Sequence, residues 1–183
     1  VRRAGRSGGG FAKSLAQQAG QEIFPTGKVV DSLKLSAGVW QTWVLVLIYF
    51  TSFGGFLAMT AWLPTYWKSY FGAEVILAGA LTALYSILTS LVRVAGGKIA
   101  DRRGGENTAL VALSAMLVGA IGMTLSGNLA LSVGAVLLMA VGMGVTNAAV
   151  FKLAPQAVPQ AVGGVSGWVG GLGAFGGFVI PPL

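Results

Sequence analysis

Arg93 stands where a charge is costly. It is the only charged residue inside an otherwise apolar run, and an arginine in a bilayer costs at least about 2.5 kcal/mol on insertion scales unless a partner or a water-lined cavity receives it. Its guanidinium is planar, permanently charged and forked, a shape suited to flat oxyanions. It lies about 9 Å along a helix axis before Ile99 at the helical rise. Spacing alone leaves two readings open: a cavity-facing anion site, or a side chain that climbs towards the headgroups. Tyr49 and Phe53, four apart and therefore on one helix face, could wall such a site or simply pack. Asn147 could donate its amide to an anion, or form an interhelical hydrogen bond of about 1 kcal/mol. Other chemistry is thin. With no cysteine and no histidine, thiolate metal sites, cysteine nucleophiles and the commonest base and metal ligand are all excluded. No metal, no cofactor and no enzymatic constellation is expected.

The elements that carry these residues follow from composition. Of 183 residues, 55% are hydrophobic and 9% charged, with 29 glycines, whereas a soluble domain carries about 25% charged residues. Charge is absent between Lys34 and Lys68, between Glu74 and Arg93, from Asn107 to Phe151, and after Lys152. A spanning helix needs about 20 mostly apolar residues, so the runs predict five membrane helices, at about 40–63, 75–99, 108–125, 129–151 and 161–183. Their continuous apolarity lacks the alternation of membrane barrels. The fold class is an all-α polytopic membrane bundle over residues 38–183.

Residues 1–37 differ. Arg2, Arg3, Arg6, Lys13, Lys28 and Lys34 face only Glu22 and Asp31, and Ser7-Gly8-Gly9-Gly10 suggests a flexible lead-in. The net charge of +7 would suggest nucleic acid on a soluble protein. Beside five apolar spans it reads as a cytoplasmic loop that obeys the positive-inside rule, with Lys98, Arg102, Arg103 and Lys152 also inside and Lys68 outside. The expected partner is therefore the lipid bilayer and not nucleic acid.

Two glycine patterns stand out. Gly96-Gly97-Lys98-Ile99-Ala100-Asp101-Arg102-Arg103-Gly104-Gly105 reads as a short loop between spans, in which glycines permit a tight turn. Asp101 could pair with Arg102 or cap the next helix. Such a pair can latch one conformation, or the stretch is an ordinary connector with topogenic arginines. In the last span, Gly163, Gly167 and Gly171 recur every four residues, followed by Gly173, Gly176 and Gly177, a period that lets helix backbones touch. Gly171 to Gly176 also fits G-x-G-x-x-G. No strand precedes it and no acidic residue follows, which rejects dinucleotide binding.

The pattern Gly-x-x-x-Asp-Arg-x-Gly-Gly over Gly97, Asp101, Arg102, Gly104 and Gly105 resembles the signature of the major facilitator superfamily. Arg93 to Arg102, Asn147 to Leu153, and Gly170 to Pro181 resemble the nitrate/nitrite porters within it. The resemblance begins near Trp40 and implies helices seven to eleven of twelve, a partial C-terminal bundle, with residues 1–37 as the inter-bundle loop. It implies substrate contact by Arg93, which sits eight residues before Asp101, and site walls from Tyr49 and Phe53, with Asn147 a weaker transfer. It implies nitrate or nitrite as the ligand, a missing N-terminal six-helix bundle as partner, and residence in the bacterial inner membrane with residues 1–37 cytoplasmic. Alternating access would rock this bundle against the other. No acidic residue lies inside a span, so this half lacks an obvious proton relay. Rival readings are a transporter of another small anion, or a non-transporting membrane subunit or anion sensor.

Overall fold

The computed structural model describes residues 29–180. The arginines at 2, 3 and 6, Lys13, Lys28, the Ser7–Gly10 run and Pro181-Pro182-Leu183 lie outside these residues. Among the described residues all regular structure is helical: α1 Val29–Ala37, α2 Trp40–Tyr49, a π turn Phe50–Gly54, α3 Gly55–Phe71, α4 Val75–Arg103, α5 Gly105–Leu125, α6 Leu129–Ala157, a 3-10 turn Pro159–Ala161 and α7 Val162–Val179. Five helices among them are long and apolar enough to cross a membrane: Trp40–Phe71, Val75–Arg103, Gly105–Leu125, Leu129–Ala157 and Pro159–Val179. The chain is an integral membrane protein.

The spans run further than the apolar stretches that foretold them. The first continues to Phe71, through Pro64. It stops at Gly72, whose φ of 64° is left-handed and whose N–H bonds back to Lys68 O; Ala73 N–H then reaches Trp67 O, the double closure of a glycine-capped helix end. The second extends to Arg103, because charges do not break a helix and a residue with positive φ does: Gly104 has φ 87°. What read as a ten-residue loop is thus helix on both sides of one glycine. The fourth is capped by Asn128, whose side chain accepts from the N–H groups of Ala130 and Leu131, and passes Lys152 to end at Ala157. The segment read as a loop also ends in structure: α1 lies against α7, with Gly164 N–H donating to Ser32 Oγ at 3.0 Å and Trp168 Nε1 donating to Leu33 O at 3.0 Å.

At the centre stands α6, and its glycines explain why it can. A Cβ on Gly142 would lie 2.6 Å from Ala112 O of α5, and one on Gly144 would lie 2.5 Å from Thr89 O of α4. The two residues open opposite flanks of one helix to two neighbours. Two apolar clusters flank it. Leu45, Tyr49, Val150, Val165 and Val169 join α2, α6 and α7; Leu63, Trp67, Tyr85, Val136 and Met139 join α3, α4 and α6. Outward faces carry bare apolar side chains, among them Ile76, Leu91, Val111 and Leu125, as lipid contact requires.

Candidate functional site

The first span changes pitch where its polar residues sit. Thr51 Oγ1 donates to Leu47 O and Ser52 Oγ to Ile48 O; hydroxyls bonded back in this way compete with the helix ladder. The π turn follows, with Gly55 N–H reaching Phe50 O five residues back. Such turns occur mostly as single local insertions, frequently at functional sites. Gly54 lies inside it against α7: a Cβ there would be 2.6 Å from Gly176 Cα. Tyr49, just before the turn, and Phe53, within it, stack with ring centroids 4.9 Å apart and planes at 13°.

Arg93 comes to this pair from α4. Its Nη2 donates to Tyr49 Oη at 3.3 Å, and its Cζ lies 5.6 Å from the Phe53 ring centroid, within the range of cation–π attraction. It stands ten residues before the end of α4, about 15 Å at the helical rise, which is deeper than the sequence suggested because the helix runs on to Arg103. The side chain reaches across to α2 and the π turn, half-buried. Among the described residues the one ion pair is Asp101 with Lys152, so the guanidinium carries an uncompensated positive charge between a phenol and a ring face.

Asn147 is 1% exposed and is engaged with protein: its Oδ1 accepts from Ser52 Oγ at 2.8 Å. The geometry is the interhelical bond rather than a contact with Arg93. Two residues of this neighbourhood escaped the sequence reading. Ser52 is fully buried and ties the π turn to α6. Phe151 meets Tyr49 edge-on, at 5.1 Å and 82°. Its spacing of four from Asn147 was the available signal, since it places both on one face of α6.

The Asp101 stretch is arranged differently from expectation. Asp101 neither caps α5, whose first turn has no side-chain cap, nor pairs with Arg102. Within a helix adjacent residues point apart, and Asp101 faces α6, where Lys152 meets it. Gly104 supplies the turn. Gly105 makes room for Leu153 of α6, whose Cδ2 lies 2.7 Å from a virtual Cβ, while Gly97 has open space. Its neighbour Gly96 is the tight one, 2.8 Å from Val145 Cα.

The glycines of α7 divide the same way. Gly163, Gly170 and Gly171 have open space and Gly167 only ordinary contact with Leu33, so the period-four stripe does not form the interface inside this bundle. Gly164, Gly173, Gly176 and Gly177 do. A Cβ on Gly173 would fall 2.5 Å from Tyr49 Cδ1, and one on Gly177 2.8 Å from Leu57 Cβ. Gly173 thus gives the Tyr49 ring its seat.

The sequence model described as Major Facilitator Superfamily matches residues 5–181. The probable nitrate/nitrite antiporter NarK1 of Thermus thermophilus is 36% identical, over 78% of this chain and 37% of its own length. The nitrite extrusion protein of Bacillus subtilis is 34% identical, over 77% of this chain and 35% of its own length. The probable nitrate/nitrite transporter NarK2 of Mycobacterium tuberculosis is 33% identical, over 85% of this chain and 40% of its own length. The chain therefore spans well under half the length of these relatives.

Proposed function

This chain belongs to the major facilitator superfamily, and from that premise we propose that it is the substrate-binding part of a nitrate or nitrite transporter working by alternating access. Relatives are named as a probable nitrate/nitrite antiporter and a nitrite extrusion protein, and the chain is not an enzyme. The observation that carries the proposal is the meeting of Arg93 with Tyr49 and Phe53 in mid-span, with no carboxylate among the described residues paired with the guanidinium.

The mechanism follows from the ion. Nitrate is flat, singly charged and too weak a base to protonate near neutrality, so it must be held as an anion. Arg93 supplies charge and a forked pair of donors, the Tyr49 hydroxyl, whose oxygen accepts from the guanidinium, keeps its own O–H as a further donor, and the Phe53 face bounds the site. Filling the site neutralises the arginine, which offsets part of the cost of holding either charge at that depth. A second bundle then rocks against this one and exposes the ion to the other side. Among the described residues the acidic side chains, Asp31, Glu74, Asp101 and Glu106, stand at helix ends, which favours proton coupling through the remainder of the transporter, or anion exchange. The charge distribution supports a cytoplasmic placement for the end bearing Lys98, Arg102, Arg103 and Lys152.

Arg93→Lys tests the reading in the full transporter. The charge stays and the fork is lost, so nitrate uptake into vesicles is expected to fall nearly to background in a correctly inserted protein. Uptake at the unmodified level would end the proposal. Uptake that prefers formate or chloride over nitrate and nitrite in competition would instead support a transporter of another small anion.

A further inference from the structure

Two grooves flank α5, and their charges differ. The larger, about 500 Å³, lies between α2, α5 and α6 and has Glu106 among its lining residues. The smaller, about 240 Å³, lies between α4, α5 and α6; Arg103 and Asn107 are at one end, while Val111, Ala115, Val141 and Val145 line its length. From Asn107 to Ala115 it follows α5 for about 12 Å at the helical rise. Val111 is 72% exposed, so the groove opens outward along a membrane-spanning face. Asp101, the acid closest in sequence to Arg103, is held by Lys152, and among the described residues no carboxylate lines this groove.

We propose that the smaller groove is a binding site for an anionic phospholipid, one acyl chain lying along Val111, Ala115, Val141 and Val145 and the headgroup phosphate on Arg103. The chemistry is complementary at both ends. An apolar slot at membrane depth accepts hydrocarbon, and a guanidinium pairs bidentately with phosphate oxygens. Basic pockets between spanning helices at the membrane surface are where anionic headgroups bind. Glu106 turns the larger groove against the same ligand. The site is separate from Arg93 and does not depend on what the transporter carries.

The test uses the purified full chain in detergent, offered an equimolar mixture of dioleoyl-phosphatidylglycerol and dioleoyl-phosphatidylcholine, with bound lipid counted by native mass spectrometry. Phosphatidylglycerol is expected to be retained about fivefold over phosphatidylcholine, the factor that one interfacial cation supplies. Arg103→Gln should abolish the preference and Glu106→Gln should leave it intact. Ala115→Phe, which fills the slot, should lower retention of both lipids. Equal retention of the two lipids, or a preference that survives Arg103→Gln, would overturn the proposal. So would a dimer of the chain that Ala115→Phe dissociates, because the groove would then seat a second copy.

Discussion

Tyr49 is the side chain on which the site turns. It is 4% exposed, bounded by Phe53, Phe151 and the backbone of Gly173, and its hydroxyl accepts from Arg93. A methyl group on Gly173 would press on Tyr49 Cδ1, Cβ and Cγ together, at 2.5, 3.0 and 3.1 Å, so the ring cannot swing aside without moving α2. Overpacking of this kind costs about 1–3 kcal/mol. Gly173→Ala is therefore expected to lower the melting temperature and to raise the nitrate concentration needed for half-maximal uptake; unchanged values of both would contradict the seat described here. Ser52 offers a gentler probe. Its bond to Asn147 should be worth about 0.6 kcal/mol and at most about 1.7, and Ser52→Ala and Asn147→Ala should be non-additive by that amount in a double-mutant cycle of unfolding. Full additivity would mean that the 2.8 Å contact contributes nothing.

Among elements, α7 and the π turn are held by backbone approach rather than by side chains. Gly54 and Gly176 face each other, a Cβ on Gly176 lying 2.7 Å from Phe50 O. Backbone cannot yield as a side-chain tip can. Gly176→Ala is expected to destabilise the protein by about 1–3 kcal/mol, whereas Gly163→Ala, which meets open space, should stay within about 0.5 kcal/mol of the unmodified protein. Thermal unfolding in one detergent decides between them; equal effects, or a larger one for Gly163→Ala, would contradict the assignment of this packing to the Gly173–Gly177 run. The π turn also rotates α3 relative to α2 by about one residue of helical twist, roughly 100°. That rotation lets Tyr49 and Phe53 stack on one side while Leu63 and Trp67 reach the cluster around Tyr85.

For the whole molecule, antiparallel connection of the spans gathers Lys34, Lys98, Arg102, Arg103 and Lys152 at one end and leaves Lys68 and Glu74 at the other. The chain has no cysteine, so single introduced cysteines report sidedness without background. A cysteine at Ser69 is expected to be labelled from outside the cell and one at Asn107 only after permeabilisation; labelling of Ser69→Cys from the cytoplasm would invert the orientation. Arg93 reaches a site completed, on our reading, by a second bundle. The chain by itself should insert yet show no arginine-dependent nitrate exchange, and a complementary six-helix half supplied in trans should restore uptake. Exchange by the chain alone would make it a self-assembling transporter.

The spans were legible in the sequence because crossing a bilayer is a local demand: about 20 apolar residues in succession satisfy it wherever neighbours lie. The cost of Arg93 was legible for the same reason, since a lone charge in an apolar run needs an explanation before any contact is known. Helix ends were less so. Lys98 to Arg103 looked like loop by charge, yet termination waits for a backbone that turns, and Gly104 alone does that. Partners were not legible. Arg93 and Tyr49 are 44 residues apart, and Asp101 finds Lys152 only because Gly105 and Gly96 let α6 come close. Residue spacing shows which glycines share a face but not which face meets a neighbour. Gly163, Gly167 and Gly171 were conspicuous and stand free of close contact, while Gly164, Gly173 and Gly176 bear it. Periodicity belongs to one helix, whereas contact depends on the rotation of two, and only the packed bundle sets that rotation.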